Sequence, residues 1–407
     1  MNIFLVISFI ILITIVIYLF QYRPTKTTNI KELYAEGLDL LVSGKIQAAY
    51  KNFKEIVDKD SNNIKGYIRL GQVLREGGNV LKAIKIHKNL LIRKNVNSYE
   101  LIELHKNLAL DYYKINNYNH AIDECKEILK IDNNNEWAIH QLVIMYRNNN
   151  NWNEATEYLK KYFEKTGKNN NHKLALYKIQ QSKIKIKDKD FEGARAILDK
   201  ALNLKQDIAS AYYFLAKTYS EESNIEYEKA LKLESQNSSS MSNKNEYNQH
   251  IEQAKKILSK AIPLWVHFTE INPNQSWLVL PLLKDALFVL NRYSELENIL
   301  IELNKNFPEN IEILANLADY YSHKGEIDKA LESISTVNEQ DKSSLLIKLI
   351  SIKLNMQKSG DIELSKELDD SINILIRDQR YQFLNDSSAS VNDMKWLLED
   401  YSDEINE

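Results

Sequence analysis

From Asn29 onward, apolar residues recur at the three- and four-residue spacing of amphipathic helices in almost every window. The stretch from Leu70 to His87 has the layout of two short helices joined by a glycine-containing turn. Small residues mark fixed phases along this pattern. Gly37 and Gly71 lie 34 residues apart, and each is followed twelve residues later by an alanine, Ala49 and Ala83. Ala109 and Ala121 repeat the twelve-residue step, and Ala155 stands 34 residues beyond Ala121. Ala194 and Ala201 follow, then Ala216 with a displaced partner at Ala254 and Ala261, and finally Ala318 and Ala330. Close packing accounts for the recurrence. The first helix of each pair (helix A) approaches its second (helix B) closely only where a side chain is nearly absent.

A 34-residue period with small residues at two phases predicts an all-α fold, a right-handed tetratricopeptide-type helical solenoid of about eight helix pairs. Pro308 stands between units, where a residue that cannot continue a helix belongs. The repeats are assigned to residues 29–342, with the units near Leu290 and after Leu345 the most degenerate. Residues 343–385 read as a degenerate repeat or capping helices, with Leu345, Leu349, Ile352 and Met356 available for one face. A Ser/Asn-rich stretch at about 235–249 reads as a disordered insertion between the two helices of one repeat. Residues 386–407 are expected to be a solvated acidic tail, since five acids and no base follow Leu397.

Ahead of the repeats, Ile3 to Phe20 is an uncharged run of eighteen residues. With its flanks, that length can cross a bilayer core of about 30 Å at roughly 1.5 Å per residue. A cleaved signal peptide is the rival reading, and it lacks a basic region before the run and a small-residue cleavage site after it. Tyr18 and Tyr22 suit the membrane interface, and Arg23, Lys26 and Lys31 follow directly. The expectation is therefore one transmembrane helix preceding the solenoid. Residues 1–22 would be the anchor, touching the lipid bilayer through residues 3–20, and residues 23–28 a short basic linker. By the positive-inside rule the protein would be a single-pass inner-membrane protein with its N-terminus outside and its solenoid cytoplasmic.

Composition narrows the chemistry. Ten glycines and five prolines in 407 residues leave little room for a strand-and-turn architecture. A net charge of −3 implies no bulk attraction to nucleic acid. One cysteine, Cys125, excludes an intramolecular disulfide and a thiolate metal knuckle. No glycine-rich phosphate loop is present, and the eight histidines form neither a zinc-protease motif nor a clustered ligand set. His87 and Cys125 each fall four residues after a phase alanine, where such repeats place a packed side chain. The residues thus predict no catalytic site, no cofactor and no metal. A membrane-linked enzyme with an unrecognised site stands as the competing class.

What remains is the groove lined by the A helices. Its positions lie six and three residues before the first small residue of each unit, then one, four and five after it. For the second to fourth units these are Lys65, Ile68, Gln72, Arg75 and Glu76, then Glu103, Lys106, Leu110, Tyr113 and Lys114, then Trp137, His140, Ile144, Arg147 and Asn148. Lys65, Arg75, Lys106, Lys114 and Arg147 would form a basic line interleaved with Tyr113 and Trp137. Together with Gln72 and His140, that line suits an acidic peptide or protein helix. A solvated face that happens to be basic is the alternative.

The segment from Leu70 to His87, above all Leu70-Gly71, Arg75, Gly78 and residues 83–87, followed by Leu90-Leu91, resembles the lipopolysaccharide assembly protein B family. These are membrane-anchored tetratricopeptide proteins of Gram-negative bacteria. The layout matches to about residue 382, and the motif match is specific only near 66–91. The resemblance implies a cytoplasmic adaptor that regulates lipopolysaccharide synthesis. It would present the lipid A pathway deacetylase to the membrane ATP-dependent zinc protease, and a generic scaffold for envelope, secretion or division machinery is the alternative. The family ends in a rubredoxin-like module of two Cys-X-X-Cys knuckles. Here residues 380–382 resemble its approach, but no cysteine follows Cys125.

Overall fold

The computed structural model describes residues 13–14, 29–235, 241–335, 344–360, 362–378 and 389–398. They contain twenty α-helices and one 3₁₀ helix and divide into two compact units, residues 1–145 and 146–407.

The first unit pairs α1 (Ile30–Val42) with α2 (Ile46–Lys59), α3 (Ile64–Glu76) with α4 (Val80–Leu91), and α5 (Ser98–Lys114) with α6 (Tyr118–Ile131). Then α7 (Glu136–Asn148) runs to the division between the units. Asparagines start these helices: Asn29, Asn63, Asn97 and Asn117 each accept a backbone N–H through the side chain, and Asn97 forms a capping box with Glu100. The turn inside each pair is equally regular. Gly44, Gly78, Asn116, Asn150, Lys189 and Gly325 take positive φ, each five residues before a phase alanine.

The phase residues do what close packing requires. Ala49, Ala83, Ala109 and Ala121 are fully buried, as are Ala155, Ala194, Ala216, Ala318 and Ala330. At Gly37 an added Cβ would lie 2.8 Å from Phe53 Cζ, and at Gly71 it would lie 2.2 Å from His87 Nε2. The second repeat therefore needs glycine because the Nε2 edge of an imidazole abuts the helix at that crossing. Leu33, Phe53, Ile56, Leu70 and Val73 form one core cluster between successive pairs, and Ile68, Leu90 and Leu104 form the next.

The second unit continues with α8 (Trp152–Thr166), α9 (Asn171–Lys187) and α10 (Phe191–Leu204). A long hairpin follows, α11 (Ala209–Ser235) and α12 (Met241–Leu258). This corrects the expected insertion at 235–249. Its described residues from 241 are helical, while 236–240 lie outside the described residues. Polar contacts tie this helix pair together: Ser223 Oγ donates to the Ala254 carbonyl at 2.8 Å, and His250 Nδ1 meets Glu226 Oε2 at 2.7 Å.

Next come α13 (Ala261–Ile271), the 3₁₀ turn Pro273–Leu278, α14 (Leu280–Val289), α15 (Tyr293–Asn306), α16 (Ile311–Lys324) and α17 (Ile327–Ser335). The last described helices are α18 (Leu345–Ser359), α19 (Ile362–Arg377) and α20 (Ala389–Leu398). Ile372 and Ile376 of α19 pack with Leu314, Ala315, Ile350 and Leu354 in the core of this end.

The expected membrane anchor needs correction. Among the described residues no helix is long and apolar enough to cross a membrane. Apart from Ile13 and Thr14, the run 3–20 lies outside the described residues. The described helices fail as spans for a physical reason: most bury one stripe and carry Lys, Glu and Asn elsewhere. The strongly apolar α13 has only 11 residues, or about 16 Å at 1.5 Å each. The transmembrane helix preceding the solenoid, and the single-pass inner-membrane placement and bilayer contact that rested on it, are therefore withdrawn.

Candidate functional site

In the first unit, the A helices carry a polar ladder of half-buried side chains. Arg69 Nε donates to the Tyr34 hydroxyl at 3.3 Å, and its Nη1 donates to Gln72 Oε1 at 2.7 Å. Its Nη2 lies 4.0 Å from Glu103 Oε2. Lys106 Nζ bonds Glu103 Oε1 at 3.2 Å and sits 5.5 Å from the centroid of the Trp137 ring. One ladder therefore links α1, α3, α5 and α7.

Of the residues singled out from the sequence, Gln72, Lys106 and Trp137 belong to this ladder. Lys65 and Lys114 are exposed at the start of α3 and the end of α5. Tyr113 is half-buried, with its ring 5.7 Å from that of Tyr118, and His140 is half-buried on α7. Arg147 is half-buried and falls in the second unit.

Arg75 does not line a groove. It is 5% exposed, and its Nη1 donates to Asp111 Oδ1 at 2.8 Å and contacts both oxygens of Asn107 at 3.3 Å. The other Asp111 oxygen lies 2.6 Å from His87 Nδ1, and His87 Nε2 lies 3.1 Å from the Ile68 carbonyl. Both His87 and Asp111 are completely buried. Arg75 thus ties the second repeat to the third, and Ile68, another position assigned to the groove, is buried in the core. Cys125, in the place equivalent to His87, is a buried thiol whose pKa is pushed up to about 12 by burial and the charge of Glu124.

Tyr34, Arg69 and Glu103 complete the ladder but were absent from the basic line. Glu103 and Trp137 share the position six before the small residue, and that common phase was the available signal. The glutamate accepts from Lys106 beside Arg69, so the face is a mixed-charge surface and not a basic one.

The second unit holds two further polar centres. Lys353 is 2% exposed and places Nζ 2.8 Å from Asp319 Oδ1 and 2.5 Å from Asp369 Oδ1, while Lys284 Nζ reaches Asp319 Oδ2 at 2.6 Å. Burial alone would raise the Asp319 pKa. The His323 hydrogen bond and the charges of Lys284 and Lys353 outweigh it and hold the carboxyl well below the usual range. The same carboxylates overcome burial at Lys353 and raise its pKa. Asp319, His323 and Asp369 lie close enough to ligate one ion. Two lysine ammonium groups already supply the positive charge there, so the cluster is an ion-pair network.

The other centre is the dock of α20 on α9. Trp396 sits edge-on to Trp152 at 5.5 Å and stacks on Tyr177 at 6.2 Å. Asp393 pairs with His172 at 2.8 Å, and the Trp396 and Leu397 carbonyls accept from Gln180 and Lys183. Ser182 is the small position twelve before Ala194, so Leu176, Ile179 and Lys183 occupy groove positions of α9. Leu176 and Ile179 are fully buried, consistent with a groove face covered by the chain's own last described helix.

The chain is a tetratricopeptide-type solenoid. No family model matches it. Lipopolysaccharide assembly protein B of Escherichia coli is 22% identical over 137 residues, covering 34% of this chain and 35% of that protein. The Haemophilus influenzae protein of the same name is 25% identical over 193 residues, covering 45% and 48%. A TPR repeat-containing protein of Methanocaldococcus jannaschii is 24% identical over 341 residues, covering 79% and 53%. The matches thus span about a third to a half of these relatives' lengths. Among solved structures, MamA superposes with a TM-score of 0.33 at 17% identity, covering 44% of this chain and 93% of MamA. YrrB, a TPR protein with an unusual peptide-binding site, gives 0.33 at 16% identity, covering 46% and 92%. The assembly-protein family is a resemblance over part of the chain.

Proposed function

We propose that the A-helix face of the first unit is a partner-binding surface, and that the chain works as an adaptor of the lipopolysaccharide-assembly type. In that role it presents the lipid A pathway deacetylase to an ATP-dependent protease and so regulates lipopolysaccharide synthesis. The supporting observation is the ladder from Tyr34 to Trp137. It lines four successive A helices with half-buried, hydrogen-bonded side chains ending on a tryptophan, the residue type that most often anchors a protein partner. A preordered row of this kind spares the partner the entropy of fixing long side chains.

Two measurements test the reading. Capture of the deacetylase by the purified chain is expected to weaken about 30-fold in Trp137→Ala, the loss of roughly 2 kcal/mol typical of an anchoring aromatic. Unchanged capture would remove the ladder from the binding surface. Depleting the protein is expected to lengthen the deacetylase half-life, and an unaltered half-life leaves only the scaffold for other envelope machinery.

A further inference from the structure

In the second unit, a helix of the chain itself sits on the A-helix face. Leu176, Ile179 and Lys183 of α9 stand six and three residues before Ser182 and one after it. In the first unit the same phases belong to Glu103, Lys106 and Gln72 of the ladder. The hold on α20 has two parts. Its end is held through the main chain: Gln180 Nε2 donates to the Trp396 carbonyl at 3.5 Å, and Lys183 donates to the Leu397 carbonyl, where the negative end of the helix dipole favours a cation. Any helix ending at this point supplies such carbonyls. Selectivity comes from side chains. Asp393 and Trp396, three residues apart and so on one face, meet His172 at 2.8 Å and the rings of Trp152 and Tyr177. Met394 and Leu397 are buried, and Lys395 is exposed.

The receiving face stands without this helix, because Gln181 of α9 bonds the Trp152 carbonyl and Thr156 Oγ1 of α8 at 2.9 and 2.6 Å. The reverse does not hold. With ten residues, α20 is shorter than the roughly 12–15 that an isolated helix needs in water. Its fit is also incomplete: Trp396 Nε1 and His172 Nδ1 are buried with no hydrogen-bond partner among the described residues. We propose that this face of α8 and α9 is a helix-binding site, that α20 is its internal ligand, and that a partner helix ending in the pattern Asp-x-x-Trp-Leu displaces it. A partner whose own side chain accepts from its indole N–H gains a bond that α20 lacks, which offsets the advantage of a covalently attached ligand. The site is separate from the ladder of the first unit, so its failure would leave that surface untouched.

A fluorescent peptide of residues 389–398 is the probe, titrated into the full chain and read by anisotropy. In the parent, α20 competes for the site, so Trp396→Ala in the chain should raise peptide affinity about tenfold or more. Asp393→Lys, at a half-buried position that tolerates exchange better than a buried indole does, should shift affinity in the same direction. Adding His172→Glu to Trp396→Ala should abolish the gain for the parent peptide and restore it for a peptide carrying Asp393→Lys. A general loosening of the fold would not produce that exchange of charge. Equal affinity in the parent and both variants would overturn the proposal, as would a gain that His172→Glu leaves unchanged. A parent chain that sediments as a dimer and becomes monomeric in Trp396→Ala would overturn the internal ligand in favour of a second copy's helix.

Discussion

Asp111→Ala is the sharpest perturbation of the first unit. The carboxylate is completely buried and holds two charged or polar neighbours, Arg75 at 2.8 Å and His87 at 2.6 Å. Each hydrogen bond involving a charged group contributes about 1.5–3 kcal/mol. Removal also strands a guanidinium that is 5% exposed, with only the Asn107 oxygens and the exposed Glu76 carboxylate left, all at 3.3 Å. Breaking a buried pair from one side costs about 3–5 kcal/mol, and the expected loss lies in that range. Stacked repeats need not unfold in one step, so the readout should be local. Amide hydrogen exchange across Leu104–Tyr112 is the assay, and a loss of about 3 kcal/mol lowers protection by roughly two powers of ten. Protection reduced less than tenfold would refute the view that this network ties the second repeat to the third. Arg75→Met combined with Asp111→Leu should recover most of the loss, because no buried charge is left without a partner.

Gly71→Ala should destabilise the first unit despite a helix-propensity gain of about 1 kcal/mol, because the new methyl meets His87 Nε2 at 2.2 Å and overpacking costs about 1–3 kcal/mol. Gly37→Ala, facing the Phe53 ring edge at 2.8 Å, should cost less, and comparative urea denaturation checks the order. Cys125, with its pKa pushed up to about 12, should react slowly with a thiol reagent at pH 8 and quickly once urea opens the core; fast labelling of the native chain would contradict its burial. For the Asp319–Lys353 network the signs are opposite. The lowered Asp319 pKa gives stability that is present above the ordinary carboxylate value near 4 and is lost as pH falls through the native value. The raised Lys353 pKa gives stability that is complete below the ordinary lysine value near 10.4 and is lost as pH rises through the native value. Lys353→Met should therefore cost most between about pH 5 and pH 9, and a penalty independent of pH down to 2 would rule out the ion-pair account.

The sequence by itself determined the repeat. The 34-residue spacing of Gly37 and Gly71, and the alanines that follow, report a contact each helix pair makes with itself, so local spacing suffices to find it. It also located the face on which Gln72, Lys106 and Trp137 meet. It could not say which charged residue on that stretch was spent inside the stack. Arg75 and Asp111 are 36 residues apart, and only the packing of three helices brings them together with His87. The apolar run at 3–20 led to the expectation of a span, and among the described residues no helix is long and apolar enough to cross a membrane. The dock of α20 on α9 joins residues 214 positions apart. No local period encodes it. The closing of one groove by the chain's own helix was decided by tertiary structure, through aromatic burial at Trp396 and the carbonyls that Gln180 and Lys183 satisfy.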